Sequence, residues 1–252
     1  MLDSGNPEAV ARLRAALHTH GYLGPEAESV LGPTFGEHHL RADLPLYLRR
    51  LAAPRPLHAL VKLFGLYVSV PEDEARAGLA PLSLEDAEGL GLVERSDGAV
   101  RAAVGLAATG KLVVARDRPR DGGSLRADHV LGLNRPALLL AALTPRARVD
   151  SALDLGCGGG VQALLAAAHA GRVVGTDINP RALDFARFNA LLNGVGNVEW
   201  REGDLFAPVA GDRFSLVVAN PPFTVSPDRR FAFRDGGREG DELSRDVVRG
   251  AA

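Results

Sequence analysis

The second half of the chain alternates short apolar runs with helical patterns, and this alternation constrains the fold more than any other feature. The predicted elements are strand Val149–Leu155, helix Val161–Ala170, strand Arg172–Thr176, helix Pro180–Asn193, strand Val198–Glu202 and strand Phe214–Ala219. Apolar strands that alternate with amphipathic helices predict an α/β fold with a parallel sheet and right-handed crossovers. Ligands bind such sheets beyond the carboxyl ends of the strands, so we expect a site there.

The first half of the chain is mainly helical in pattern. A first amphipathic helix is predicted over Pro7–His20, because apolar residues recur at helical spacing and Gly21 suits its end. Two strand-like runs, Val100–Leu106 and Lys111–Ala115, predict a small hairpin after the helices. Further helical patterns lie around residues 26–31, 37–53, 57–68, 72–78 and 83–90. Helices followed by a hairpin resemble a winged-helix module.

A polar, turn-rich stretch separates the two halves. Residues 116–124 read RDRPRDGGS, a composition typical of a loop or linker. The sequence therefore predicts an N-terminal domain over residues 1–124 and a second domain over residues 125–252.

Composition narrows the class of protein. The chain has 252 residues, 29 Lys and Arg against 31 Asp and Glu, and a single cysteine, Cys157. The balance of charge gives no overall basic excess of the kind that marks an obligate nucleic-acid binder. One cysteine excludes an intramolecular disulfide and a cysteine-based zinc site. Because no signal peptide or membrane span is evident, we expect a soluble, cytoplasmic protein.

A glycine-rich loop follows the first strand of the second half. Residues 154–160 read DLGCGGG, with glycines that let the backbone turn tightly and approach a ligand closely. A dinucleotide fingerprint starting at Gly156 would need a glycine where Val161 stands, whereas Asp-x-Gly-x-Gly-x-Gly fits from Asp154 to Gly160. The loop therefore predicts a ligand site, with a glycine-rich turn that binds nothing as the alternative.

Two carboxylates follow the next two strands. Asp177 ends the second strand and could accept hydrogen bonds from both ribose hydroxyls of a nucleoside, or serve as a charge at the start of a helix. Asp204, in the run EGDLF, could accept from an adenine amino group, with Leu205 or Phe206 covering the ring, or be a solvated turn acid.

The fourth motif is VVANPPF, residues 217–223. The Asn220 amide oxygen and the Pro221 carbonyl can both accept hydrogen bonds from a planar NH₂ group. Pro221 and Pro222 hold those acceptors rigidly, and Phe223 supplies a face for stacking. Two accepted N–H bonds direct the nitrogen lone pair out of the plane, towards an electrophile. A simple proline turn is the alternative interpretation.

These motifs together resemble class I S-adenosylmethionine-dependent methyltransferases over about residues 129–250, in the Asn-Pro-Pro-Phe group of HemK-like and small-domain N-methyltransferases. The resemblance implies a Rossmann-like doubly wound sheet, S-adenosyl-L-methionine as cofactor and no metal. The catalytic residues it implies are Asn220, Pro221, Pro222 and Phe223. The cofactor-binding residues it implies are Asp154, Gly156, Gly158, Gly160, Asp177, Ile178, Asp204, Leu205, Asn220 and Arg135. The pocket contact implied for Arg135 could instead come from its neighbour Asn134, and a helix-start role is the alternative for both.

Methyltransferases of the Asn-Pro-Pro-Phe group transfer the methyl group to planar nitrogens, so the resemblance implies a planar nitrogen as the methyl acceptor. We expect an exocyclic amine of an RNA base, with a protein glutamine amide or a non-catalytic cofactor-binding fragment as alternatives. The N-terminal domain would then recognise the substrate, either RNA or a translation-associated protein. Arg49, Arg50, Arg55 and Lys62 could form a basic patch for nucleic acid, but a solvated helical face is the favoured interpretation because acidic residues balance the charge.

The chain departs from the resemblance at its end. A complete class I domain has three strands after the Asn-Pro-Pro-Phe strand, whereas 29 residues follow Phe223. The resemblance therefore leads us to expect a domain truncated after its fourth strand, completed by a missing C-terminal segment or by a partner chain. The fourth strand would otherwise be an uncovered apolar edge.

Overall fold

The computed structural model describes residues 2–31, 43–118, 125–222, 224, 230–235 and 239–251. The chain divides into two compact units, Met1–Arg118 and Pro119–Ala252. Within the described residues, no helix is both long enough and apolar enough to cross a membrane.

The N-terminal unit begins with helices, as predicted. Asn6 caps the first of them by accepting from the Ala9 amide, and Ser83 caps the last by accepting from the Asp86 amide, both at 3.0 Å. The helices are α1 (Pro7–Thr19), α2 (Pro25–Leu31), α3 (Leu44–Arg50), α4 (Pro56–Leu60), α5 (Glu72–Leu79) and α6 (Leu84–Gly89), with a π-helical turn, Val61–Gly65, after α4. Of the helix expected around 37–53, residues 37–42 lie outside the described residues.

The strands of this unit differ from the single predicted hairpin. They are β1 (Val70–Pro71), β2 (Val93–Ser96), β3 (Ala99–Ala102), β4 (Val104–Thr109) and β5 (Leu112–Asp117). The run predicted as one strand, Val100–Leu106, is broken at Ala103, whose amide donates to the Leu92 carbonyl at 2.8 Å. Its first part pairs antiparallel with β2 and β1, and its second part pairs with β5. The prediction of one hairpin was therefore wrong in its first strand.

The second unit carries the predicted parallel sheet. Its elements are α7 (Arg135–Leu143), β6 (Val149–Leu155), α8 (Val161–Ala166), β7 (Ala170–Asp177), α9 (Pro180–Asn193), β8 (Val198–Glu202), a 3₁₀ turn (Ala207–Val209), β9 (Leu216–Ala219), α10 (Ala232–Asp235) and α11 (Glu242–Gly250). The sheet order is β8-β7-β6-β9, and every pairing is parallel. The predicted α/β class and doubly wound sheet are confirmed.

Alternate residues of the central strands supply two cores, one on each face of the sheet. Ala152 and Val173 pack with α8 on one face, whereas Leu153 and Val174 pack on the other face with Val247 of α11. Because both faces are covered, these strands read as nearly continuous apolar runs. β9 lies at one edge of the described sheet, as expected for the fourth strand.

All four strands point their carboxyl ends to the same edge, and this topology assembles the site. The loops after β6, β7, β8 and β9 contain the four motifs in order. α7, whose start at Asn134 and Arg135 the sequence offered as an alternative, begins beside them. The Asn134 side chain caps it by accepting from the Ala137 amide at 2.9 Å.

Candidate functional site

A cavity of about 380 Å³ lies at the carboxyl edge of the sheet. Its volume falls within the range of about 300–1,000 Å³ that is usual for small-molecule sites. All four motif loops contribute to its walls. The predicted residues that line it are Asp154, Gly156, Gly158, Asp177, Ile178, Asp204, Leu205, Asn220, Pro221 and Pro222. Phe223 lies outside the described residues, so its predicted stacking role stays a prediction.

The glycine loop presents an open backbone to this cavity. Gly156 and Gly158 have φ values of +67° and +53°, in the left-handed region that favours glycine. A Cβ added at either position would meet no atom within 4 Å, so both glycines leave room beside the backbone. Asn189, which is fully buried on α9, holds the loop by donating to the Gly159 carbonyl at 2.9 Å.

Gly160 serves a different purpose from the one expected. It does not line the cavity, and a Cβ there would lie 2.7 Å from the Trp200 ring and 3.2 Å from the Ala186 Cβ. Its φ of +84° also requires glycine as the residue before α8. Gly160 thus allows close packing of the loop against β8 and α9, and its expected cofactor contact stays a prediction.

Two carboxylates hold the glycine loop and its neighbours by accepting hydrogen bonds from backbone amides. The Asp177 carboxylate accepts from the Gly158 amide at 2.7 Å and from the Asn179 amide at 2.8 Å. The Asp154 carboxylate is 3% exposed and accepts from the Ala163 amide at 2.8 Å. Burial raises the pKa of both groups, and that of Asp154 reaches about 7, with the neighbouring Asp177 charge adding to the rise.

The third loop closes the cavity beside β8. Asp204 and Leu205 line it, and Leu205 adopts a left-handed backbone with φ +46°. Gly203 has no room for a side chain, because a Cβ there would lie 2.4 Å from Pro208. The Ile178 side chain on the neighbouring loop is 62% exposed. The third loop therefore contributes one acidic residue, Asp204, and one apolar residue, Leu205, to the lining of the cavity.

Several lining residues were not found from the sequence. His129 comes from the segment before β6, whereas Phe233 and Leu243 come from the segment after β9. Of the two neighbours expected at the pocket, Asn134 lines the cavity, whereas Arg135 is exposed and does not line it. Nothing in a linear pattern marks His129 or Phe233.

Family models match two parts of the chain. Residues 135–233 match the methyltransferase small domain, and residues 19–103 match a domain of unknown function, DUF7059. Residues 135–233 belong to the methyltransferase small-domain family. The resemblance drawn from the four motifs is thereby confirmed, and S-adenosylmethionine is the cofactor this family implies.

Curated relatives match the methyltransferase domain. A release factor glutamine methyltransferase of Aliivibrio fischeri is 42% identical over 89 residues, which are 34% of this chain and 31% of that protein. A putative protein N5-glutamine methyltransferase of Methanocaldococcus jannaschii is 40% identical over 99 residues, 36% of this chain and 49% of that protein. A release factor glutamine methyltransferase of Deinococcus radiodurans is 37% identical over 129 residues, 46% of each chain. The chain thus matches less than half the length of these relatives.

Cys157 of the methyltransferase domain is a packing residue rather than a nucleophile. It lines the cavity but is buried, and burial raises the pKa of its thiol well above the ordinary value. A neutral thiol is a poor nucleophile.

Asp154 gives the methyltransferase domain a specific pH dependence of stability. Because burial raises the pKa of Asp154 from its ordinary 3.8 to about 7, the folded state holds an extra proton between these pH values. The free energy of unfolding should therefore fall as pH rises through this window, by about 1.4 kcal/mol per pH unit at most.

Asp154→Asn tests this dependence, since asparagine keeps an oxygen for the Ala163 amide but does not titrate. Urea unfolding at pH 5 and pH 7.5 should show a smaller loss of stability for Asp154→Asn than for the wild type. Equal losses in the two proteins would contradict the assignment of the proton to Asp154.

Proposed function

We propose that the chain is an S-adenosylmethionine-dependent N-methyltransferase that acts on a planar nitrogen. The observation that carries the proposal is one cavity lined both by the open glycine loop with Asp177 and by Asn220, Pro221 and Pro222. The residues that the resemblance assigns to the methyl donor and those that it assigns to the methyl acceptor therefore line the same cavity. Proximity of the two reactants supplies much of the rate enhancement in a transfer between bound groups.

The residues present fit the cofactor. Gly156 and Gly158 leave space beside the backbone for an extended ligand chain. The loop backbone is held by Asp177, which accepts from the Gly158 amide, and by Asn189, which donates to the Gly159 carbonyl. Asp177 retains lone pairs for ribose hydroxyls, because each oxygen accepts one backbone amide in the structure. Asp204 lies on the next loop, where adenine is expected. When bound, S-adenosylmethionine supplies a methyl group already activated on a sulfonium sulfur.

Asn220 and Pro221 hold the acceptor nitrogen in this proposal. Their oxygens accept the two N–H bonds of a planar NH₂ group, which directs its lone pair away from that plane. Pro221 and Pro222 fix the backbone, so the acceptors need not reorganise during the reaction. The proton lost from nitrogen after methyl transfer can pass to solvent, and the chain needs no dedicated general base.

A protein glutamine side chain is the acceptor that the relatives favour, since their names state glutamine methylation. An exocyclic amine of an RNA base, the acceptor expected first from the sequence, presents the same two N–H bonds. The basic patch expected for RNA is partly neutralised: Arg55 pairs with Glu26, and Lys62 pairs with Glu74, both at 2.6 Å. We therefore place glutamine first, with the domain over residues 1–124 as the substrate-recognition module.

Calorimetric titration with S-adenosylmethionine tests the donor half of the proposal. The wild type should bind saturably, and Asp177→Ala should bind about tenfold more weakly or worse, because the ribose acceptor is lost and two backbone amides lose their partner. Asp184→Ala is the matched control, since Asp184 pairs with Arg187 on α9 and does not line the cavity. A folded wild type that fails to bind contradicts the proposal.

Transfer of a radiolabelled methyl group then separates the acceptors. A peptide with one glutamine should gain label, whereas the same peptide with asparagine or glutamate in its place should not. Label in an RNA oligomer and none in the peptide would assign the RNA acceptor instead.

A further inference from the structure

The outer face of α7 carries leucines where a surface helix normally carries polar side chains. Leu138, Leu139 and Leu143 are 41%, 61% and 72% exposed, and Ala142 is exposed between them. Residues three or four positions apart are neighbours on a helix, so these four side chains form one continuous surface, here named the leucine face. Clustered exposed apolar side chains mark interaction sites, whereas single ones are ordinary.

The inner face of α7, opposite the leucine face, attaches the helix to the methyltransferase domain. Ala137 is 6% exposed, and its carbonyl accepts from Gln162 Nε2 of α8 at 2.7 Å. The buried Thr144 closes the last turn, because its hydroxyl donates to the Leu140 carbonyl at 2.7 Å. Substitutions on the leucine face therefore leave these attachments in place.

Basic side chains flank the leucine face at both ends. Arg135 opens α7, and Arg146 and Arg148 follow its last turn, whereas residues 129–149 contain no aspartate or glutamate. Arg135 is exposed and pairs with no carboxylate among the residues that the structure describes. The helix dipole disfavours a cation in the first turn, so the stability of α7 does not explain this arginine. Its charge is available to an acidic partner.

The leucine face begins next to the cavity. Asn134, which caps α7, and Ala137 both line the cavity. Leu138, the first residue of the leucine face, follows Ala137 directly. Leu131, shortly before α7, lines the cavity and is also 38% exposed. A macromolecule bound to the leucine face would therefore hold a segment of its chain beside the cavity.

We propose that the leucine face and its flanking arginines dock an acidic, apolar segment of the protein that carries the methyl acceptor. The identity of this partner rests on the proposed function. RNA is bound through phosphate contacts and through stacking of bases on aromatic rings, and leucines offer neither charge nor ring. A second copy of this chain fits less well, because symmetric pairing of two α7 helices brings arginines of like charge together.

Selection of peptides by the full chain tests the leucine face without any methyl transfer. Random peptides displayed on phage should be enriched for sequences that combine leucine, isoleucine or phenylalanine with aspartate or glutamate. The triple variant Leu138→Ser/Leu139→Ser/Leu143→Ser should bind the enriched peptides at least about tenfold more weakly, because three apolar contacts are lost. Val248→Ser is the matched control: Val248 on α11 is 72% exposed, as Leu143 is, and its loss should leave the affinity unchanged.

A charge exchange tests the arginines. Arg135→Glu/Arg148→Glu should weaken an enriched acidic peptide about tenfold. The same peptide with lysine in place of each acid should bind this double variant better than it binds the wild type. Structural damage to α7 would weaken both peptides, and glutamate suits the first turn of a helix, so a reversal of preference reports charge pairing. An unchanged preference for the acidic peptide would refute the role of the arginines.

Joining an enriched peptide to a glutamine separates this inference from the proposed function. A glutamine peptide joined to the docking segment by a flexible linker should be methylated with a KM about tenfold lower than the glutamine peptide alone, at similar kcat. The triple variant should lose this advantage. Equal KM values for the two peptides in the wild type would show that the docked segment does not serve the acceptor. If neither peptide is methylated, the proposed function fails, while the peptide affinities still decide whether the leucine face docks an acidic segment.

Other occupants of the leucine face give distinct results. Light scattering that shows a dimer in the wild type and a monomer in the triple variant would assign the face to a second copy. Binding to phosphatidylserine vesicles that the triple variant loses, with no peptide enriched, would assign it to a membrane surface. Either result would overturn the inference, as would a selection in which every enriched peptide binds the triple variant as well as the wild type.

Discussion

Asn220→Ala should lose most methyl transfer while binding S-adenosylmethionine as the wild type does. In the proposed function Asn220 holds the acceptor, whereas the glycine loop and Asp177 bind the cofactor, and all of these residues line one cavity. Removing one positioned hydrogen-bonding group from a reaction centre costs about 10²- to 10³-fold in kcat, or roughly 2.7–4 kcal/mol. We therefore expect a loss of that size in kcat, measured in single-turnover reactions with the acceptor identified by labelling.

A fall in kcat of Asn220→Ala supports an acceptor role only if its affinity for S-adenosylmethionine equals that of the wild type. Asn193→Ala is a matched control, because Asn193 on α9 hydrogen-bonds the Asn189 carbonyl and does not line the cavity. It should keep wild-type turnover. If Asn220→Ala turns over at the wild-type rate, the acceptor nitrogen is held elsewhere and the proposed chemistry is wrong.

Gly160→Ala should destabilise the methyltransferase domain strongly. The backbone at φ +84° costs an alanine about 1–2 kcal/mol. The added Cβ would also lie 2.7 Å from the Trp200 ring, and overpacking of this kind costs about 1–3 kcal/mol. The total, about 2–5 kcal/mol, is a large share of the roughly 5–15 kcal/mol that stabilises a typical domain. Scanning calorimetry should show the fall in melting temperature.

Gly211→Ala separates the two causes of this loss. Gly211 has φ +86°, almost the same as Gly160, but a Cβ there would meet no atom within 4 Å. It should therefore show the backbone cost alone. Adding Trp200→Leu to Gly160→Ala should recover part of the steric cost, whereas an unchanged loss would show that Trp200 does not oppose the new methyl group.

The parallel half of the fold could be predicted closely because its signals are local. Val149–Leu155, Pro180–Asn193 and Val198–Glu202 have the bounds that the sequence predicts. Each is set by an apolar run, a proline at a helix start or a glycine at a helix end. The four motifs share an edge of the sheet for the simple reason that parallel strands end together.

Other features of the fold and of the site could not be predicted, because they depend on contacts between residues that are distant in the sequence. The run at Val100–Leu106 looks continuous, yet Ala103 breaks it because its amide is drawn to Leu92. Gly160 looks like its loop neighbours, and only the position of Trp200, forty residues later, shows that it faces away from the cavity. The His129 and Phe233 rings lie 5.7 Å apart although more than a hundred residues of chain separate them, so their contact could not be predicted from either segment.

The packing of Trp200 gives this protein a built-in optical reporter. It is the single tryptophan of the chain, and its ring covers Gly160 and Gly175 directly behind the glycine loop. The Cys157 sulfur, which lines the cavity, flanks the same Gly175. Indole emission depends on the groups packed around the ring, so we expect a ligand that shifts the glycine loop to change the emission of Trp200. Intrinsic fluorescence should then follow occupancy of the cavity without a label and without knowledge of the methyl acceptor.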